Sequence, residues 1–354
     1  MIEQKQRFYI PCLNGWRAIS ILMVILYHCA WFLFGPEGSK YDPNLWSLFK
    51  VGGYGVSIFF TISGYLITSR ILEEYRQFDS FNIRDFYVKR FFRIIPPFYF
   101  YIFTIFMMNF FLPLNLSSWD FFGSLSFLRI YSEVNGSWFT GHVWSLCVEE
   151  HFYIILSFLF FALGRKRIYA VLWIWLGIIF VWNILSFRFK HYPGFFELRE
   201  YLRVLSFMDY MFVGCIFAYL SQKEKKFLIM FSRYSSLIII AWFVLFFISY
   251  PLKIILHPIL TGYVIYLTST SEVKLFTSIL ESRFLSFIGT ISYSLYLWQQ
   301  LFLIKSSVYL NELGPFQRFP LNIVVVFVIA YCSHIFLEKP FIRLGRKFLS
   351  HKEL

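Results

Sequence analysis

Acidic residues are scarce in this chain. Asp and Glu number 20 among 354 residues, and charged residues of all types make up 15% of the sequence. A soluble domain carries about a quarter. With so few charges the chain has no means of covering a water-exposed surface, which argues against the two soluble domains that length alone would suggest. Cysteine is also sparse. Cys12, Cys29, Cys147, Cys215 and Cys332 show no CxxC spacing and fall in or beside apolar runs, so neither a disulfide framework nor a metal site is expected. Internal repeats and low-complexity tracts are missing as well, and no soluble appendage is expected. Lys and Arg number 33, giving a net charge of +13. They sit at the ends of apolar runs rather than on one polar face, so nucleic acid is not the expected partner.

What the chain does have is apolar length. Hydrophobic residues make up 58% and aromatics 23%. Windows of about twenty residues give ten spans, at 12–33, 51–71, 94–113, 143–163, 169–187, 203–221, 235–250, 252–269, 285–304 and 319–337. Tyr250 and Pro251 form a tight turn between the seventh and eighth. Segment 119–130 is apolar but too short to cross and reads as interfacial or re-entrant. The first run is expected to be a span and not a cleaved signal, because Arg17 interrupts its start and no small-residue cleavage site follows Cys29. With the N-terminus inside, 22 basic residues, Lys5 and Arg7 among them, fall in inner segments, 10 fall in outer ones and Arg17 lies within the first span. That asymmetry predicts N-in, C-in topology. The outer loop 188–203 runs against it with four basic residues. The expected fold class is all-α, a polytopic transmembrane helical bundle, with 1–354 as a single membrane domain and no appended soluble domain.

Arg17 and His28 share the first span. Eleven residues of helix turn through about 1100°, roughly 20° past three full turns, so both lie on one face about 16 Å apart along the axis. With Arg17 at the inner surface, His28 reaches the midplane, where an ionisable group is expensive and marks a functional site by default. A neutral imidazole bonded to a neighbouring helix is the alternative. The stretch HVWSLCVEEHFY at 142–153 puts Glu149 and Glu150 less than two turns inside a span that starts outside. Adjacent helical positions point about 100° apart, so one carboxylate is expected to face the interior and the other a polar cavity. A cap at the helix end is the alternative there. His142 and His151 read as structural or solvated.

RDFYVKRFFRIIPPFY at 84–99 clusters Arg84, Lys89, Arg90 and Arg93 in a cytoplasmic loop before a membrane entry marked by Pro96 and Pro97. Such charge sets topology or meets anionic lipid. It equally suits the phosphates of a nucleotide-bearing donor, since Arg forks match phosphate oxygens. GGYGVSIFFTISGYLIT at 52–68 and GTISYSLYLWQQ at 289–300 bring small residues and hydroxyls into spans, as helix packing uses them. Asp209 and Glu338 are membrane-edge acids, Glu338 being expected to pair with Lys339 at the inner surface.

Taken in order, these stretches resemble the acyltransferase-3 family of bacterial integral membrane acyltransferases, which includes O-acetyltransferases of surface glycans. The resemblance runs from Leu13 to about Arg346. The family's opening, LDGLRA and a helix ending in His, stands here as LNGWRAISILMVILYH, with its Arg and His carried by Arg17 and His28. GxxGVxxFFxxSGFLIT matches 52–68 with Tyr65 in place of Phe, and RRxxRIxPxY appears as KRFFRIIPPFY. WSLSVEEQFY appears as WSLCVEEHFY, ISYSLYLWHxP as ISYSLYLWQQL, and the closing ExP as Glu338-Lys339-Pro340. Each motif alone is weak, whereas six in the right order are specific. Asn14, Cys147, His151 and Gln299 depart from the family's Asp, Ser, Gln and His.

The resemblance implies a multi-pass enzyme of the bacterial cytoplasmic (inner) membrane. It would move an acyl group, acetyl first of all, from cytoplasmic acyl-CoA to a hydroxyl of a cell-surface glycan or glycolipid, such as lipopolysaccharide or another polysaccharide. Acetyl-CoA is then a co-substrate, with no bound cofactor. His28 would deprotonate the acceptor or carry the acyl group, and Arg17 would anchor the donor or stabilise developing charge. Glu149 or Glu150 would orient the imidazole or the sugar. Arg84, Lys89, Arg90 and Arg93 would hold the CoA phosphates, and Ser63 and Trp144 would contact substrate. Many relatives add a soluble esterase-like domain. This chain is expected to act alone or with a separate periplasmic transferase or glycan-assembly partner, in contact with membrane lipids. The rival reading is a transporter or flippase with a proton relay through His28 and the glutamates. The two-half hydropathy symmetry that would favour it is not found. A non-enzymatic scaffold for surface-polymer synthesis is the third reading.

Overall fold

The computed structural model describes residues 9–34, 49–112, 114–131, 136–189, 202–223, 230–248, 252–304 and 312–350, together with Trp46, Tyr192, Leu198, Leu228 and Leu310. Lys5, Arg7 and most of the outer loop 188–203 lie outside the described residues. The chain is an all-α polytopic bundle. Its helices are α1 (Cys12–Phe34), α2 (Tyr54–Phe78), α3 (Ile83–Met108), α4 (Ser118–Leu125), α5 (Val143–Arg188), α6 (Asp209–Lys223), α7 (Ser235–Val244), α8 (Leu252–Ser269), α9 (Lys274–Leu280), α10 (Arg283–Phe302), α11 (Leu321–Ser333) and α12 (Lys339–Arg346). Among the described residues, six helical stretches are long and apolar enough to cross a membrane. A seventh is gained if α8 and α9, bent by 88°, count as one. Large apolar side chains such as Phe103, Phe158, Phe161, Ile174, Leu237 and Val324 are exposed along these helices, as lipid contact allows and water does not.

Several helices differ from the spans read off the sequence. α7 has 10 residues, short of a full crossing, and α6 is described over the 15 residues up to Lys223, so the sequence expectation of ten spans stays an expectation. α5 is two helices joined at Gly164, whose φ of 65° suits glycine, in line with separate spans at 143–163 and 169–187. α3 starts at Ile83, well before the expected entry at residue 94. The Asn82 side chain caps its first turn by accepting from the Asp85 N–H at 3.1 Å, and Asp85 itself complements the helix dipole there. The helix then runs through Pro96 and Pro97, so the basic cluster lies on helix and not in a loop.

By internal packing the chain divides into two units. The first comprises Met1–Ser20, Tyr54–Phe81 and Val148–Gly289. α2 and α6 pack at its centre on glycine. A Cβ at Gly64 would meet the Met211 carbonyl oxygen at 2.0 Å, and one at Gly214 would meet that of Thr61 at 2.2 Å. These crossed pairs make α2 and α6 antiparallel with their backbones nearly touching. The second unit comprises Ile21–Gly53, Asn82–Cys147 and Thr290–Leu354. In it the Tyr293 hydroxyl on α10 donates to the Ile94 carbonyl of α3 at 2.8 Å. α11 leads through a π-helical turn at His334–Glu338 into α12. Phe348 stacks on Phe92 at 5.4 Å, and Ser350 donates through its backbone N–H to Asp85 at 3.0 Å. The C-terminal residues are thereby tied to the start of α3.

Candidate active site

The second unit concentrates buried polarity near the C-terminal end of α10. Gln299 and Gln300 are 0% and 4% exposed, and an amide so deep in an apolar protein has to find partners. Both find histidines. His28, on the second half of α1, places Nδ1 3.0 Å from Gln299 Oε1. His142 places Nδ1 2.6 Å from Gln300 Oε1 and donates its backbone N–H to the same oxygen at 2.9 Å. Trp138, in the single turn Trp138–Gly141, donates its indole N–H to the Gln300 carbonyl at 3.1 Å and meets the His28 ring edge-on at 5.5 Å. The Tyr296 hydroxyl donates to the His142 carbonyl at 2.9 Å and makes a short hydrogen bond with Ser145.

A clamp outside the spans holds this roof in place. Asp120, at the third position of α4, closes a reciprocal cap with Ser117 and accepts from the Ser137 N–H at 3.0 Å. It also meets the Arg129 guanidinium at 2.8 Å, with both side chains buried. Burial pushes the Asp120 carboxyl up, but hydrogen bonds from Ser117 and Ser137 and the charge of Arg129 outweigh it and leave it below the usual range. Its stabilisation is therefore complete above the unfolded-chain value of about 3.9 and is lost as pH falls through the lower folded value. Asp120→Ala, which strips Arg129 of a buried carboxylate, is expected to cost about 3–5 kcal/mol. Thermal unfolding in detergent across acid pH checks both. An unaltered acid limb in the variant would contradict the clamp.

The other expected site residues are more dispersed. Arg17 is half-buried on the first half of α1. In the first unit Ser63 donates to Glu149 at 2.8 Å, which joins two of the expected residues, and Glu150 is half-buried beside them in sequence. Trp144 is half-buried at the start of α5. The basic cluster of α3 does not share one face. Lys89, Arg90 and Arg93 fall within an arc of about 100°, whereas Arg84 lies about half a turn away from Arg93. Arg84 is exposed and donates to Ser350 Oγ at 3.2 Å. Arg90 stands over the Phe86 ring at 5.0 Å.

One expectation needs correction. Glu338 does not pair with Lys339 at the inner surface. It is 2% exposed, accepts a short hydrogen bond from Ser294, and lies 3.1 Å from His334 Nδ1 across the π turn, while Lys339 is exposed. The wider π turn rotates the carboxylate inward where an α-helical register would leave it at the edge. His142, read as structural or solvated, is 3% exposed and bonded to Gln300, which sets aside the solvated alternative and keeps the structural one. Sequence reasoning also passed over Gln300, Trp138 and His334. The readable signal was QQ in the apolar run LYLWQQLF, since two amides there must be satisfied by something buried. Among the described residues no group of His, Cys, Asp or Glu could hold a metal ion.

The profile of acyltransferase domains matches residues 10–337, which contain these features apart from Glu338, Lys339 and Ser350. The chain belongs to the acyltransferase-3 family. It is 26% identical to a peptidoglycan O-acetyltransferase of Listeria monocytogenes, over 96% of this chain and 57% of that protein. It is also 26% identical to a Bacillus subtilis protein provisionally named a peptidoglycan O-acetyltransferase, over 97% and 56% of the two. A Staphylococcus aureus protein provisionally named an O-acetyltransferase is 27% identical over 98% and 60%. The chain thus spans somewhat more than half the length of these relatives. No solved structure matches it.

Proposed function

We propose that this chain is a membrane O-acetyltransferase that moves an acetyl group from cytoplasmic acetyl-CoA to a hydroxyl of a cell-surface glycan. Peptidoglycan-type sugars are the first acceptors to test, because two relatives are named for that substrate. The observation that carries the reading is the buried His28 imidazole held through Nδ1 by Gln299 Oε1. A carbonyl oxygen only accepts, so Nδ1 bears the proton and Nε2 the lone pair. That is the tautomer a general base or an acyl carrier needs. Gln299 Nε2, buried without a partner among the described residues, supplies donors suited to a thioester oxygen as charge develops on it.

Lys89, Arg90 and Arg93 form the proposed phosphate grip, with Arg84 excluded because it points elsewhere. The excess of basic residues in the inner segments supports an N-in orientation in the bacterial inner membrane, with this cluster on the cytoplasmic side. Arg17 is proposed to stabilise negative charge on the donor; the Ser63–Glu149 pair of the first unit and, separately, Trp144 of the second are proposed as substrate contacts.

Donor titration onto detergent-purified protein tests the grip. Arg90→Ala and Arg93→Ala should each weaken acetyl-CoA binding by roughly 1.5–3 kcal/mol, tenfold or more, the range for charge-assisted contacts. Arg84→Ala should bind as the wild type does. Unchanged affinity in both inner-face variants would remove α3 from donor binding, and absence of acetyl transfer by wild-type protein would remove the activity itself.

A further inference from the structure

Successive side chains of α10 hold two histidines in the same way. Gln299 Oε1 meets His28 Nδ1 at 3.0 Å, and Gln300 Oε1 meets His142 Nδ1 at 2.6 Å. Both imidazoles are therefore fixed with the proton on Nδ1 and the lone pair on Nε2. The His142 ring is wedged between the edges of Tyr101 and Tyr296, each at 5.4 Å. Its Nε2 is buried and has no partner among the described residues. A ring kept only for packing gains nothing from a desolvated, unanswered acceptor. Trp138 bridges the two histidines, touching His28 with its ring and Gln300 with its indole N–H.

We propose that His142 is a second catalytic histidine, taking the proton of the acceptor hydroxyl while His28 carries the acetyl group. This division rests on the acetyl-transfer reading above and decides between the two roles open to His28. In the first step His28 Nε2 attacks the thioester carbonyl carbon. The N–C bond forms, the C–S bond breaks, and coenzyme A leaves as its thiolate, which takes a proton from cytoplasmic water. The acetyl-imidazolium keeps its Nδ1 proton on Gln299. In the second step the acceptor O–H gives its proton to His142 Nε2 as its oxygen attacks the acetyl carbon. The O–C bond forms, the N–C bond breaks, and His28 returns to its neutral form. His142 then releases the proton to water on the acceptor side. Neutral amide carbonyls suit this scheme better than carboxylates would, because they orient both rings without holding either one protonated in an apolar interior.

The test separates the half-reactions in the full-length protein with acetyl-CoA as donor and a chito-oligosaccharide as acceptor. Wild type should release one equivalent of CoA in a burst and then turn over. His142→Asn retains an amide donor toward Gln300 but has no Nε2 base. It should keep the burst and lose steady-state transfer by 10²-fold or more, the usual contribution of a general base. Hydroxylamine attacks without needing a base, so it should restore turnover in His142→Asn to near the wild-type rate, which a merely structural role would not predict. His142→Ala with added imidazole provides the second rescue. Loss of the burst in His142→Asn, or transfer at the wild-type rate, overturns the assignment. Wild-type turnover without a burst overturns the two-step division alone. Wild-type protein that never releases CoA overturns the acetyl-transfer reading beneath it.

Discussion

His28→Ala is expected to yield protein that is inserted, monodisperse and inactive, with acetyl transfer reduced at least 10³-fold. The two free energies at stake differ greatly in size. Structurally the substitution removes the hydrogen bond to Gln299, worth about 1–3 kcal/mol including the amide left unsatisfied, along with ring contacts that include Trp138 and Tyr27. A folded helical membrane protein of this size should survive that loss. Chemically it removes the lone pair proposed to carry the acetyl group. A covalent or general-base group contributes factors of 10²–10⁴ on its own, and more when it acts as one unit with others. His28→Gln is the control, since it can still bond to Gln299 and should be equally inactive while unfolding at a temperature closer to that of the wild type. Radiolabel transfer from acetyl-CoA, read beside size-exclusion profiles, gives both numbers. Appreciable turnover by either variant in well-folded form would leave the imidazole without a role in the chemistry.

The largest expected loss of stability lies in the other unit, at Gly64 and Gly214. Extra volume in a packed core ordinarily costs about 1–3 kcal/mol, because side chains shift to admit it. Here the obstacles are backbone carbonyl oxygens, those of Met211 and Thr61 at 2.0 and 2.2 Å, which have no rotamers to adopt. Gly64→Val or Gly214→Val must part α2 from α6 along their length, so a loss beyond that range is expected, together with poor yield. Gly177→Ala, where a Cβ would meet nothing within 4 Å, is the matched comparison. It should be neutral or stabilising by up to about 1 kcal/mol through helix propensity. Melting of purified variants in detergent ranks the three. Equal midpoints for Gly64→Val and Gly177→Ala would mean that the close approach of α2 and α6 does not hold the unit together.

How much of this was legible beforehand depended on whether the signal was local. Arg17 and His28 could be read because eleven residues of helix fix their relative phase. The break between two spans near residue 164 could be read from a glycine followed by three basic residues. The start of α3 was missed because charge was taken as the mark of a loop, while the Asn82 cap and Asp85 lay unused as start signals. Glu338 was misplaced because its partners, Ser294 and His334, depend on a π turn that no periodicity announces. The setting of His142 was hidden for a similar reason. Its partner Gln300 is 158 residues away, and nothing within the 142–153 segment reveals that a buried amide will meet it.

The π turn also sets the phase of the helix after it. A turn that closes over five residues accommodates one more residue than an α-helical turn, which rotates the downstream helix by about 100° relative to a straight continuation. α12 therefore does not inherit the outward face of α11. Its Gly345 comes against the Phe92 side chain of α3, where a Cβ would approach to 2.7 Å, and Glu338 turns to Ser294. The spacing between His334 and Gly345 is thus a geometric gauge. Removing one residue within the turn would restore a regular helix and swing both contacts off target together. The buried carboxylate and the docking of the C-terminal helix on α3 are consequently coupled through a single irregular turn.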